Sequence, residues 1–314
     1  MQEIHLTGNF PRPEPLIEMT RQFDRGRTSE IEVQRHLDHS VNELLELQIS
    51  NKLDMLVDGQ LNWQDLFRPF TELLAGINPG TLTRWFDNNT FYRRPIVVDR
   101  VKRAELPPTK YYRHDLIPEG RGKAIMPGPY TFAKLSENAA YSSFADLVDD
   151  LAHSLASISR ELTSSGYRFL QLNEPSLCTA TIEELEIARR GFDILAKSSP
   201  RIMLQTYFGS VSHIKDKLVD FPVDCIGVDL YANDLSIFET GSVTTDISCG
   251  CIDGRNSLVE PVDRTVELVT KMIDAVAPHQ VYVGPNCDLE FLPYVVAAKK
   301  VQLLGAVRRS LIGE

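Results

Sequence analysis

An α/β fold, a single (β/α)8 TIM barrel, is what this sequence predicts, and three observations predict it. Short apolar strands alternate with helical patterns along 314 residues, eight such strands are present, and nearly all of them stop on polar side chains. Parallel neighbours need a crossover, normally a helix. Eight such units in this length close into a barrel whose sites are built at the C-terminal ends of the strands. The alternative, an open doubly wound sheet, would carry a Gly-rich dinucleotide turn after its first strand, and GNFPRP at 8–13 is not one.

Taken in order, IHLTGNFPR (4–12) ends on Asn9 and Arg12, LDMLVDGQ (53–60) ends on Asp58 and Gln60, and AIMPGPYTF (124–132) supplies the third strand. YRFLQLNEP (167–175) stops at Asn173 and Glu174, just before the helix-opening Pro175. RIMLQTYFG (201–209) ends on Thr206 and Tyr207, and CIGVDLYAND (225–234) on Asp229 and Asn233. ISCGCIDGRN (247–256) ends on Asp253 and Arg255, and VYVGPNCD (281–288) on Asn286 and Cys287. Helices are expected at 29–51, 141–165, 257–276 and 291–309, where apolar residues recur at a 3.6-residue spacing. Residues 77–123, rich in Pro and aromatics, form the least regular stretch and are expected as a long insertion beside the strand-end face, a place where long ordered segments are often functional.

Composition excludes several classes of function. With 43% hydrophobic and 24% charged residues the chain is ordinary for a globular domain. A net charge of −10 argues against nonspecific nucleic-acid binding, which needs Lys and Arg to neutralise phosphates. One locally basic stretch, with Arg93, Arg94, Lys102, Arg103, Lys110 and Arg113, reads either as a solvated loop or as an anion-binding one. No apolar run reaches the ~18 residues of a membrane helix, and MQEIHLTGNF lacks the pattern of a signal peptide, so a cytoplasmic protein with no membrane partner is expected. Five cysteines, an odd number placed in strands (Cys225, Cys249, Cys251) or at loop edges (Cys178, Cys287), are not a disulfide framework.

The strand-end strings GNFPRP, LVDGQ, WFDNN with Tyr92, MPGPYTFAKLS, QLNEP, QTYFGS, GVDL, IDGRN and NCDLEFLP occur in one order along nearly the whole chain. In that order they resemble the cobalamin-independent methionine synthase family. The resemblance implies an enzyme of two related (β/α)8 barrels, of which the C-terminal one holds a catalytic zinc through a His-x-Cys pair after strand five, a Glu ending strand six and a Cys after strand eight. Those positions fall here on Tyr207, Gly209, Asp229 and Cys287, so two of the four ligands are absent, a carboxylate and a thiol remain, and Cys287 is the candidate metal ligand. WFDNN, TYFG and DGRN resemble the metal-free N-terminal barrel instead. The role this implies is in methyl transfer to homocysteine, as a companion to a separate zinc-bearing barrel. The cofactor in question is zinc, at a site short of two of its four family ligands. The other readings are a self-sufficient thiol methyltransferase with an unorthodox metal site, and a binding protein for a folate or an amino acid.

The residues expected to meet a small-molecule ligand are Asn9, Gln60, Asn173, Glu174, Tyr207 and Asp229. Asn173 and Glu174 fall where the catalytic family has an Asp-Glu pair for the substrate amino acid, and Gln60 where it has a Glu. Cys249 and Cys251, two apart on a strand, share a face and bring Cys251, Cys287 and Asp229 into question as an unorthodox site. Trp63 and Trp85 read as a flat wall for a pterin or as core aromatics. The seven histidines, His5, His36, His39, His114, His153, His213 and His279, are expected in surface or capping roles.

Overall fold

The computed structural model describes residues 2–198, 201–234, 245–276 and 280–313, so His279 lies outside the described residues. In chain order the first elements are β1 (Gln2–Ile4), α1 (Glu14–Asp24), α2 (Glu30–Ser50) and α3 (Phe70–Leu73). They are followed by β2 (Leu74–Arg84), β3 (Phe91–Arg103), β4 (Lys123–Pro127), α4 (Pro129–Leu135), β5 (Glu137–Asn138), α5 (Phe144–Ser164) and β6 (Phe169–Asn173). The remainder comprises α6 (Ile182–Leu195), β7 (Ile202–Gln205), α7 (Lys215–Leu218), β8 (Cys225–Asp229), β9 (Asp246–Ile252), α8 (Val262–Val276), β10 (Val281–Pro285) and α9 (Tyr294–Ile312). Among the described residues no helix is long and apolar enough to cross a membrane.

Seven strands form one parallel sheet in the order β1–β10–β9–β8–β7–β6–β4. The eighth staves the gap between β1 and β4. Ile4 O accepts from the amides of Asp54 (2.9 Å) and Met55 (3.3 Å), Leu56 N donates to Arg121 O (2.8 Å), and Lys123 N donates to Leu56 O (3.0 Å). The ring is thus closed through LDMLV, a segment whose regular pairing is reduced to a single parallel bridge between Leu56 and Gly122. Its main chain turns at once into Asp58, Gly59 and Gln60, of which Gly59 and Gln60 take left-handed φ values of 71° and 53°.

Helix boundaries follow local chemistry. Ser29 and Glu32 make a reciprocal capping box that starts α2, and Thr181 with Glu184 does the same for α6. The helix expected from residue 257 starts instead at Val262, because Glu260 is taken by the buried Lys300, whose Nζ lies 2.9 Å from both carboxylate oxygens and 2.9 Å from Leu258 O. Gly313 at φ 74° closes α9 in the left-handed cap conformation.

The stretch that reads as irregular contains an antiparallel hairpin, β2 with β3, extended by β5. Pro79, Gly80 and Pro95 break the apolar alternation by which strands are recognised, and the register shifts twice along the pair. Its basic residues are used internally. Arg103 pairs with Glu161, Lys110 with Glu72, Arg113 with Asp38 and Asp115, and Arg93 Nη1 donates to Gly80 O at 3.3 Å.

Inside the barrel the strand alternation sorts polar from apolar. On β6, Leu170 and Leu172 face the helices, while Phe169 joins Met55, Met203, Cys225 and Tyr282 in a separate apolar plug. Next along the lumen comes a polar layer. Lys123 Nζ, on a residue only 2% exposed, lies 2.7 Å from His5 Nδ1, 2.6 Å from Leu6 O and 2.5 Å from Gln171 Oε1, and His5 Nε2 lies 2.9 Å from Ser248 Oγ. This corrects the surface role expected for His5: the ring is fully buried, and burial followed by the charge of Lys123 pulls its pKa well down.

Burial pulls the Lys123 ammonium down to about 7, against an ordinary value of 10.5. Between these values the unfolded chain binds more protons than the folded one, so this group adds stability as pH rises through that window. Lys123→Met should remove the gain. Urea unfolding at pH 7 and 9 should show the wild type rising relative to the variant by about 1–2 kcal/mol.

Candidate active site

The strand ends converge on one mouth of the barrel, and the predicted residues occupy it in different ways. Asn9, after β1, is tied by its amide to Asp288 Oδ1 (3.0 Å). Gln60 is 4% exposed, and neither its Oε1 nor its Nε2 has a hydrogen-bond partner. Its amide donates to Asp58 Oδ1 (3.0 Å), which holds the left-handed turn. Gly8 packs close beside it: a Cβ there would lie 2.8 Å from Gln60 Oε1 and 3.0 Å from Asp288 Oδ1.

Glu174 does not face open space. Its Oε1 accepts from Tyr130 N (3.0 Å) and its Oε2 from Thr131 N (2.7 Å), so the carboxylate caps the first turn of α4. A Cβ on Gly128 would lie 2.1 Å from its Cδ, which explains the glycine of MPGPYTF. Burial raises the carboxyl to about 7 in spite of these bonds. Asn173 is fully buried, its Oδ1 accepts from Gln171 Nε2 (2.8 Å), and its Nδ2 has no partner. Gln205 Oε1 is likewise unpartnered.

Tyr207, Asp229 and Cys287 follow β7, β8 and β10. Tyr207 is fully buried with an unpartnered hydroxyl, and its phenol is pushed well above the usual range by burial and then by the negative groups Asp288, Cys287, Glu290 and Glu174. Asp229 Oδ1 accepts from Asn286 Nδ2 (3.0 Å) and Tyr231 N (2.9 Å). The Cys287 thiol is fully buried against Gly254, where a Cβ would lie 2.8 Å from Sγ, and burial followed by Asp288 and Asp229 drives it well above the ordinary thiol value. Cys251 donates to Gly284 O (3.8 Å) instead of turning to Cys287. All five cysteines are free thiols, and among the described residues no three His, Cys, Asp or Glu side chains converge in an arrangement that could hold a metal ion.

Aromatic rings roof the mouth. Phe86, at the hairpin tip, and Phe208, after β7, both sit at left-handed φ (48° and 70°) and touch each other with ring centroids 5.5 Å apart. Phe208 meets Phe291 at 5.7 Å, and Arg255 lies over Phe208 at 5.3 Å and donates to Asp87 O. Non-glycine residues in that region are strained and cluster at functional sites. Trp85 packs on Phe67 and Tyr92, while Trp63 donates to Tyr111 O (3.0 Å); each is about 95% buried yet contributes to a cavity wall.

Two adjoining cavities of about 330 Å³ each open here, sharing Asn9, Gln64, Asp65 and Glu290. The first adds Arg12, Gln60 and Trp63, and the second adds Trp85, Tyr92 and Asp288. Asp65, Asp288 and Glu290 join the predicted residues here, the last two just after Cys287. The string NCDLE, placing two acids just past a strand end, was the available signal.

Glu174→Gln sets an amide N–H against a backbone N–H of α4 and should destabilise the protein by about 1–3 kcal/mol. The raised carboxyl means that the folded state holds the extra proton between pH 4.5 and about 7, so its stabilising contribution is full below pH 4.5 and is lost by about 7. The variant should lack that fall, and urea unfolding at pH 5 and 8 checks it.

Comparison with known proteins adds the family. Residues 74–277, well over half of the chain, match the model described as cobalamin-independent synthase, N-terminal domain. A methionine synthase of Sulfurisphaera tokodaii is 26% identical over 306 residues, covering 94% of this chain and 88% of that protein. A 5-methyltetrahydropteroyltriglutamate–homocysteine methyltransferase of Bacillus cereus is 29% identical over 222 residues, covering 68% of this chain but only 29% of that longer protein. In structure, the B12-independent methionine synthase of Shewanella sp. W3-18-1, solved with selenomethionine, superimposes with a TM-score of 0.81 at 17% identity over 99% of both chains, a likeness of fold. The chain therefore belongs to the cobalamin-independent synthase family, matching its N-terminal domain.

Proposed function

We propose that this barrel takes part in methyl transfer to homocysteine, in methionine biosynthesis, as the companion of a separate zinc-bearing barrel. The names of its relatives in Sulfurisphaera and Bacillus support the reaction. What most supports the companion role is the corner formed by Tyr207, Gly209, Asp229 and Cys287. A thiol-activating zinc needs nitrogen, thiolate or carboxylate ligands in tetrahedral array with one position open. This corner offers a phenol held protonated, a residue without a side chain, a carboxylate occupied by Asn286 and the Tyr231 amide, and a thiol that burial keeps neutral. These residues do not fit the metal.

The same electrostatics work against activating a substrate thiol here. A thiolate forms readily beside cations or a metal, whereas Asp229, Asp253 and Asp288 surround the Cys287 position with negative charge. The orphaned polar atoms of Gln60, Asn173, Gln205 and Tyr207 suit a polar ligand, an amino acid or a folate, held without chemistry of its own.

Elemental analysis of the purified protein should find zinc well below one per chain and unchanged in Cys287→Ser. Mixed with a zinc-bearing methionine synthase barrel from the same organism, the chain should co-elute at micromolar concentration and raise methionine formation from homocysteine and a methyl folate. Methionine made by this chain alone, or independent elution with no effect on the other barrel, overturns the companion role.

A further inference from the structure

The two adjoining cavities have a chemistry that the proposed companion role leaves unused. Their shared wall carries Asp65 and Glu290, and Asp288 faces the second cavity. Asp65 is spent on the fold, with its oxygens accepting from the amides of Phe67 (2.9 Å), Arg68 (2.9 Å) and Arg93 (3.0 Å). Asp288 and Glu290 are less fully engaged, each by Asn9. Asp288 Oδ1 takes the Asn9 amide, and among the described residues neither acid forms an ion pair. Both carboxyls are raised by burial, which outweighs the charge of Lys123 on Asp288 and, on Glu290, the Asn9 side-chain hydrogen bond and the charge of Arg12.

A second observation points independently to a ligand. Gln60 is 4% exposed, lines the same cleft as Glu290, and has neither a donor nor an acceptor for its own amide. The two groups are near neighbours, because the Cβ position of Gly8 is 2.8 Å from Gln60 Oε1 and 3.0 Å from Asp288 Oδ1. An occupant that donates several hydrogen bonds and carries positive charge satisfies Gln60 and the acid pair together. Trp63, Trp85 and Tyr92 complete the walls, and aromatic surface suits an organic cation. A bare metal ion fits less well, since the described residues bring no three ligating side chains together.

We propose that the cleft between Gln60 and the Asp288–Glu290 pair is a binding site for an alkylammonium group. It rests on reading the barrel mouth as a ligand-binding face, and not on the existence of a partner barrel. Two sources share this chemistry, a free amine and the α-ammonium of an amino acid, and Arg12, on the first cavity wall with its charge also acting on Glu290, would favour the second by meeting a carboxylate.

The test uses this chain alone, with n-pentylammonium, L-norleucine (the same chain with a carboxylate) and 1-pentanol (the same chain without charge), followed by saturation-transfer NMR titration in constant chloride. Saturable n-pentylammonium binding is expected, with no saturable binding of 1-pentanol. Glu290→Gln, nearly isosteric, should weaken binding roughly tenfold or more, the loss expected for one charge-assisted contact. Gln60→Met should weaken it as well, and circular dichroism checks that both variants are folded. Tighter norleucine binding that Arg12→Gln reduces to the pentylammonium level identifies an amino acid, and equal binding of the two identifies a free amine. The proposal is overturned if n-pentylammonium does not saturate, if 1-pentanol binds as well, or if both folded variants bind like the wild type. A failed partner experiment leaves these outcomes untouched, and failure here leaves the partner experiment untouched.

Discussion

The polar layer inside the barrel, Lys123 with His5, Gln171 and the carbonyl of Leu6, is the contact on which the rest of the site depends. A barrel lumen is normally filled by branched apolar side chains, and an amine buried there loses its hydration. It is tolerated because Nζ donates to the Leu6 carbonyl and to Gln171 Oε1, with the His5 ring beside it. The residues involved come from β1, β4, β6 and, through Ser248, β9, so one group sets the relative heights of four strands. Gln171 passes the order upward by donating to Thr7 O (2.5 Å) and to Asn173 Oδ1 (2.8 Å). The register of the strand ends is therefore tied to a buried network one layer below the mouth.

Above that layer two kinds of polar residue are mixed, and their surroundings distinguish them. Glu174, Asp229 and Asp65 accept from backbone amides and hold a helix start, a strand end and a turn in place. Gln60, Asn173, Gln205 and Tyr207 retain unpartnered atoms in a buried setting. The first group is what the fold requires, and it includes residues that by type alone look like substrate binders. The second group is costly to the fold as it stands, which is the usual mark of a place where a ligand completes the hydrogen bonding. Among the described residues the charges that act on Cys287 are the acids Asp288, Asp229 and Asp253, opposed by Arg255, surroundings that disfavour a thiolate.

Much of this was legible in the sequence. Strands that end on NE, VD, NC or DG showed the barrel and the face on which strand-end polar side chains gather, because a strand's apolar run must stop where it leaves the packed layers. Asn9, Gln60, Asn173, Glu174, Tyr207, Asp229 and Cys287 all lie at or near that mouth. Three features were not legible. The hairpin of β2 and β3 hides behind Pro79, Gly80 and Pro95. The second barrel strand pairs at a single bridge. His5, which reads as an isolated surface histidine, is buried because Lys123 and Ser248 lie 118 and 243 residues away along the chain.

By itself the sequence determined the α/β barrel and which side chains sit at the strand ends, since both depend on local periodicity and on where apolar runs stop. Only the tertiary structure decided what those side chains meet. It turned Glu174 into a helix cap, left Gln60 without a partner, sealed the Cys287 thiol behind Gly254, and gathered Asp288 and Glu290 with Gln60 around one cleft. The physical reason is that hydrogen-bond satisfaction and desolvation are set by neighbours distant in the chain, and no local pattern encodes them.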